Sequence, residues 1–384
     1  MVDAREGKAV DLEFTSEQEE LRDSVRSFLE KECPLEVVRH VVETGQPPEK
    51  LWSSMVSLDW PALAIPEENG GLGLTFVDTA VVVEELGRAV APGPLLATVT
   101  QFAPLVREVA TADQGAQLLP RVASGALTGA VALADLPNGW GLADLTMSAE
   151  RAEGGWVLSG TKRGVMADAV GGDIAVIARV GEGFGVFVVP GSEVGLAPVH
   201  SLDASRPLFS ITFDRVLVPD DRALGNPGSA AATEGITRAL QEATVALALE
   251  TVGTSDALFQ MVLAYVKDRV QFGVPIGSFQ SVKHKMANMF VVLERARSLC
   301  YYAAAAIAED TSDRVTAAAM AKAASDDCQR QVCRDSFQSL GGIGFTWEHD
   351  AHLFIKRAET DGALFGGSAW HTLKLARELG IITV

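Results

Sequence analysis

The sequence predicts an α+β chain ordered as helices, then short strands, then long helices, on three observations. Through residue 127 the apolar residues recur at helical spacing. Between 128 and 218 the pattern changes to short Val- and Ile-rich runs bounded by Gly, Asp and Pro. From about 230 a helical period returns, in much longer segments. The expected layout is a flexible tail at 1–11, a helical domain at 12–127, a central β-domain at 128–218 and a helical domain at 219–384.

The first helix is expected after Thr15 or Ser16, either of which can cap it, and Ser16 with Glu19 fits a capping box. Leu21, Val25, Phe28 and Leu29 then share one face. Further helices are predicted at 50–59 and 75–90, separated by the breaker-rich loop at 66–73, with short helices through 93–124. The runs at 156–159, 174–180, 184–190 and 209–218 read as strands of an antiparallel barrel or sandwich. A turn-rich connection at 219–229 leads to long helices at 230–270, 279–309 and 313–340, and a final one spans about 367–379. Helices of such length must bundle to bury their apolar stripes.

Composition narrows the function classes. A net charge of −18 without a basic stripe argues against nucleic acid or an anionic membrane as partner. Hydrophobic residues at 48% support a large core, and no apolar run reaches the ~20 residues of a bilayer span. The first residues lack the layout of a secretory signal. Four cysteines are too few for a disulfide scaffold; Cys328 and Cys333 lack partners at zinc spacing and read as buried thiols. These features predict a cytoplasmic protein without a metal centre. The histidines His284, His349, His352 and His371 are dispersed and read as surface or satisfied core residues.

Two motifs point to chemistry. Arg269, Phe272 and Gln280 cluster where one long helix gives way to the next, and this combination suits a nucleotide. The guanidinium pairs with phosphate, the ring packs on a base and the amide bonds a polar edge. A helix hairpin with a capping Arg and a core Phe accounts for the same spacing. The second motif, Gln338 to Glu348, holds Gly341, Gly342 and Gly344 directly after a long helix. These glycines permit positive φ and close backbone approach to a ligand, or simply stop the helix.

Together these segments resemble the acyl-CoA dehydrogenase family over nearly the whole chain. The stretch LDWPALAIPEENGGLGLTFVDTAVVVEELGR at 58–88, the R-x-x-FG-x-P-x-x-x-FQ motif at 269–280, the Q-x-LGG-x-GF-T-x-E run at 338–348 and LKLAREL at 373–379 carry the resemblance. It implies an N-terminal helical domain, a central β-domain and a C-terminal four-helix bundle. It also implies FAD shared across a subunit interface, an acyl-CoA thioester substrate and electron-transfer flavoprotein as redox partner. The implied reaction is α,β-dehydrogenation, in which a carboxylate takes the α-proton and the flavin takes the β-hydride. Arg269, Phe272 and Gln280 match positions that contact the ADP part of a neighbour's FAD, and Gln338, Gly341 and Gly342 match the other wall of that site.

The ring-side positions depart from the family pattern. The hydroxyl-bearing position is Ala134, Trp140 stands where a Ser is expected, and the W-I-T patch that covers the ring reads Gly164-Val165-Met166. The usual catalytic glutamate position holds Phe365, which cannot accept a proton. The alternative base position on the long helix is Ala243, beside the substrate-contact position Thr244. Glu242 is a weak substitute, about 100° away around the helix and expected to be a solvated or capping carboxylate; Glu250 is weaker still. Positions serving a neighbour's flavin survive while those serving the chain's own ring are altered together. That pattern favours the base-lacking partner subunit of a heteromeric enzyme, as some steroid-degrading bacterial members are built, over a homo-oligomeric dehydrogenase with an unusual base or a flavin-free paralogue.

Overall fold

The computed structural model describes residues 14–135, 139–166 and 171–382. The tail expected at 1–11 lies outside them, as do positions 136–138 of the altered ring-side stretch. The N-terminal helices are α1 (Ser16–Glu32), α2 (Leu35–Thr44), α3 (Glu49–Ser57), α4 (Phe76–Arg88), α5 (Leu95–Ala97), α6 (Ala103–Val109) and α7 (Ala112–Ala123). Thr15, not Ser16, caps α1. Its hydroxyl accepts from the Gln18 backbone N–H while the Gln18 side chain accepts from the Thr15 N–H, so the box closes one register earlier than the Ser16–Glu19 reading.

The central strands are β1 (Gly129–Ala132), β2 (Ala149–Ala152), β3 (Gly155–Met166), β4 (Asp173–Val180), β5 (Gly183–Pro190), β6 (Gly195–Val199), β7 (Leu208–Pro219) and β8 (Ala223–Leu224). They form two four-stranded sheets, β1-β4-β5-β8 and β2-β3-β7-β6. The expectation of a wholly antiparallel arrangement needs one correction: β1 pairs with β4 in parallel. Two strands and their connections intervene between β1 and β4 in sequence, which gives the chain the long crossover that a parallel pair requires. Strands β4 and β5 are buried along nearly their whole length, and their unbroken runs of Val, Ile, Ala and Phe reflect cover on both faces.

A small hairpin of β9 (Val270–Gln271) and β10 (Val274–Pro275) joins α8 (Ala230–Asp268) to α9 (Gln280–Ala308). The chain continues through α10 (Arg314–Leu340), α11 (Ala351–Ala363) and α12 (Ser368–Glu378). Helix α8 is the axis of the molecule, packing against α4, α6, α9, α10 and α11. Helix α11 is absent from the sequence reading because Arg357 and Asp361 face inward and interrupt its apolar stripe. It joins α8, α9 and α10 in the bundle, while α12 packs on α10. Among the described residues no helix is long and apolar enough to cross a membrane, and no cluster of side chains could hold a metal ion. All four cysteines are free and buried.

Helices α4 and α8 cross almost backbone to backbone. A Cβ on Gly253 would lie 1.9 Å from the Glu84 carbonyl oxygen, and one on Gly87 would lie 2.2 Å from that of Glu250. Thr254 locks the crossing by donating to the Gly87 carbonyl at 3.0 Å. Gly253→Ala is therefore expected to destabilise the fold by at least ~1–3 kcal/mol, the usual range for overpacking, despite the better helix propensity of alanine. Denaturant unfolding checks this, and an unchanged midpoint would contradict the close crossing.

Candidate functional site

The three parts of the chain meet on one buried charge cluster. Glu250 of α8 accepts from both Arg206, at 2.6 Å, and Arg357 of α11, at 3.1 Å. Arg206 also donates to Asp361 at 2.6 Å. Arg357 reaches Asp203, the Ser205 hydroxyl and the carbonyl of Ala91. The loop before β7, the bundle and the segment after α4 are thereby fixed to one another. Burial pushes the Glu250 carboxyl up, but Arg206 and Arg357 outweigh it and hold the group below its ordinary range. Burial, then repulsion from Glu250, pushes Asp361 up to about 8. Two guanidinium groups thus face three acidic side chains, of which Asp361 holds its proton most strongly. Glu250 is committed to this cluster and is not free to act as a base.

Next to the cluster, the first residues of the β-domain meet the bundle around a cavity of about 250 Å³. Leu133, Trp140, Thr244, Phe365, Trp370 and His371 are among its lining residues, and the described lining includes no carboxylate. Trp140 stacks on Phe365 with ring centroids 5.4 Å apart and planes 18° from parallel. Phe365 is buried and adopts a φ of 57°, in the left-handed region that costs a bulky residue strain. Its carbonyl is bonded to Nε2 of His371 at 2.9 Å. A Cβ on Gly164 would approach the Trp140 ring to 3.1 Å, so the glycine leaves room for the indole. Ala134, Val165, Met166 and Ala243 are buried core residues. The Thr244 hydroxyl donates to the Leu240 carbonyl within its own helix.

Glu242 departs from expectation. It is buried rather than solvated, paired with Arg107 of α6 in a separate cavity of about 550 Å³ whose walls include Glu108, Arg238 and Arg314. Burial pushes its carboxyl up against the opposing effect of Arg107. The turn from Glu242 to Thr244 on α8 puts the two side chains in different cavities, so Glu242 does not reach the space beside Phe365. His352 and His371 are likewise buried, but each keeps an Nδ1 without a hydrogen-bond partner among the described residues, which the reading as satisfied core histidines missed.

The two motifs lie on the outside. Arg269 is the exposed C-terminal cap of α8, and among the described residues its guanidinium has no ion-pair partner. Phe272 is 92% exposed with a φ of 55°, touching Phe279 edge-on at 6.2 Å. Gln280 opens α9 and its amide meets His284 at 3.3 Å. Gln338 is exposed near the end of α10, Gly341 has a φ of 65°, and a Cβ on Gly341 or Gly342 would meet nothing within 4 Å. Phe345 is 76% exposed and stacks on Phe337. Arg39 of α2 holds the end of this loop, bonding Asp350 at 2.7 Å and the Trp347 carbonyl at 3.0 Å. Within one chain no hydrogen bond, ion pair or ring contact among the described residues joins the two motifs. Each presents open backbone and exposed aromatic surface outward.

Comparison with known proteins decides the family. Residues 15–126 match the model of the acyl-CoA dehydrogenase N-terminal domain and 233–380 that of the C-terminal domain. The acyl-CoA dehydrogenase IpdE2 of Mycobacterium tuberculosis is 31% identical over 91% of this chain and 92% of its own length. The chain belongs to the acyl-CoA dehydrogenase family. The protein of the same name from Mycolicibacterium smegmatis is 32% identical over 92% of this chain and 96% of its own. Among solved structures, one described as the Tcur3481–Tcur3483 steroid acyl-CoA dehydrogenase, G363A variant, superposes with a TM-score of 0.84. It is 28% identical and covers 95% of this chain and 98% of that one. The helix–strand–helix order read from the sequence is the acyl-CoA dehydrogenase fold.

Sequence reasoning did not find the Arg206–Glu250–Arg357 cluster or the Arg39 tether, because their partners are distant in the chain. A signal existed only for Trp140 and Phe365, as bulky aromatics where the family pattern has small or acidic residues. The cluster makes a pH prediction. Asp361 carries a folded-state pKa above its unfolded value of ~3.9, so the stability it contributes is present at low pH and is lost as pH rises toward about 8. Asp361→Asn mimics the protonated carboxyl. The stability of this variant relative to the native chain should rise by up to ~1.4 kcal/mol per pH unit between pH 5 and 8. Urea titrations across that range measure the difference, and a pH-independent difference would contradict the assignment.

Proposed function

We propose that this chain is the base-lacking partner subunit of a heteromeric, FAD-dependent acyl-CoA dehydrogenase. The observation that carries the proposal is the Trp140–Phe365 stack. The family's base position is filled by a phenyl ring packed on an indole, in a cavity without a lining carboxylate among the described residues. At about 250 Å³ the space is smaller than the ~300–1,000 Å³ of ordinary ligand pockets. The residues present there do not fit a flavin ring with an acyl chain beside it, and the described lining offers no carboxylate to take a proton.

The outer motifs do fit the other end of the cofactor. Arg269 offers an exposed guanidinium without an ion-pair partner among the described residues, Phe272 and Phe345 offer exposed rings, Gln280 and Gln338 offer amides, and Gly341 and Gly342 leave backbone open to close approach. These are the groups that would hold the pyrophosphate and adenosine of an FAD whose ring lies in a homologous subunit. The bound flavin supplies the hydride acceptor. The partner then contributes the carboxylate that removes the α-proton, while this chain anchors the dinucleotide tail. The name of the structural relative, a steroid dehydrogenase built from two gene products, supports both the heteromeric assembly and a bulky steroid-type acyl-CoA as substrate. Four buried free thiols support a cytoplasmic location, and electron-transfer flavoprotein is the redox partner the family reading supplies.

The chain purified alone is expected to be colourless and to give no acceptor reduction with acyl-CoA. Co-expression with a base-bearing homologue from the same genome should give a yellow, active complex of fixed stoichiometry. In that complex Arg269→Ala should weaken FAD binding by ~1.5–3 kcal/mol, the range for a hydrogen bond to a charged group, read as flavin released on dilution. A yellow isolated chain that turns over acyl-CoA would refute the proposal.

A further inference from the structure

Helix α2 lies in the N-terminal domain, far in sequence from the glycine loop that follows α10, yet one of its side chains ends on that loop. Val38 and Val41 are buried and fix the helix that carries Arg39. The Arg39 guanidinium donates through Nε to Asp350 at 2.7 Å. One terminal nitrogen donates to the carbonyls of Trp347, at 3.0 Å, and Glu348, at 3.4 Å. A planar fork of this kind can hold a carboxylate and backbone oxygens at once, which a point charge does less well. It grips the segment 347–350, directly before α11.

The other holds on residues 341–350 come from the two helices that the loop connects. Phe345 stacks on Phe337 of α10 with centroids 4.8 Å apart, and Trp347 stacks on His352 of α11 at 4.4 Å. The Lys356 ammonium lies 4.3 Å from the centre of the Trp347 ring. Among the described residues, only the hydrogen bonds of Arg39 join this loop to a residue outside the C-terminal domain. Glycines at 341, 342 and 344 make the segment costly to order, so a fixed end point matters here. We propose that Arg39 is a positioning residue for the cofactor half-site. By fixing the end of the loop, it keeps the open Gly341–Gly342 backbone in the shape that receives the adenosine tail of the flavin, so binding does not have to order it. The proposal rests on the reading of the outer motifs as that half-site. Affinity for the cofactor is then set partly by a helix of the N-terminal domain that itself touches none of the motif residues Arg269 to Gln280.

The test uses the co-expressed complex with FAD and FMN as probes, since FMN keeps the ring and lacks the adenosine that this loop would hold. Arg39→Ala is expected to weaken FAD binding about tenfold, the cost of ordering roughly one more backbone residue, and to leave FMN affinity unchanged. A general loss of structure would weaken both. Asp350→Ala should weaken FAD in the same selective way, and the double variant should lose less than the product of the two single losses. Asp350 is partly exposed and its side chain makes no cap hydrogen bond on α11, so this variant carries the test if the arginine variant fails to fold. In the isolated full-length chain, hydrogen exchange at 341–350 should quicken with Arg39→Ala while that of α8 stays unchanged. Unchanged FAD affinity in both variants, or an equal loss for FAD and FMN, would overturn the inference and leave the yellow complex, and with it the proposed function, intact. A complex without flavin would overturn both.

Discussion

The architecture depends on one constraint: Glu250, in the middle of the central helix α8, must remain charged and paired. Taking a carboxylate out of water costs several kcal/mol, and only two guanidinium groups held in good geometry offset that cost. Arg206 arrives from the β-domain and Arg357 from α11, so satisfying a single side chain fixes the β-domain on the bundle, and Arg357 extends the tie to the Ala91 carbonyl of the N-terminal part. The nearly touching backbones of α4 and α8 at Gly87 and Gly253 add a steric constraint at the same level of the helix. Charge pairing and close packing therefore fix the walls around the ring-side cavity to one another, and the aromatic pair inside it sits between rigid supports.

Set against that frame, the substitutions in the ring-side cavity have a coherent physical sense. A carboxylate at position 365 would need solvent, a cation or a substrate to remain charged. A phenyl ring needs only another apolar surface, and Trp140 provides it across the domain junction. The strained backbone at Phe365 is held by the packing around it and by the hydrogen bond from His371. The outer motifs show the opposite economy: aromatic rings left in water and an exposed guanidinium make sense on a surface completed by another molecule.

How much of this was legible in the sequence follows from range. The switch between periods near 128 and 230 is a local property, and the breakers at 66–73 and 219–229 punctuate it, so the layer order could be read directly. Thr15 was one of two caps the sequence offered, and only the Ser16–Glu19 box fell one residue late, because Thr and Ser are equivalent in that role and the Gln18 geometry alone distinguishes them. Helix α11 was hidden because its inward charges belong to a pairing made with residues more than 150 positions earlier. That position 365 carries no carboxylate was readable from its identity. What replaced it, a stacked pair closing a small chamber, depends on a side chain from another domain and could not be read locally.

The exposed tip at Phe272 has one more consequence. A single copy of this polypeptide displays greasy rings on a strained hairpin, the kind of surface that chaperones retain and proteases clear. Under the proposed heteromeric assembly, supply of the companion sets how many copies survive, without any matching of the two syntheses.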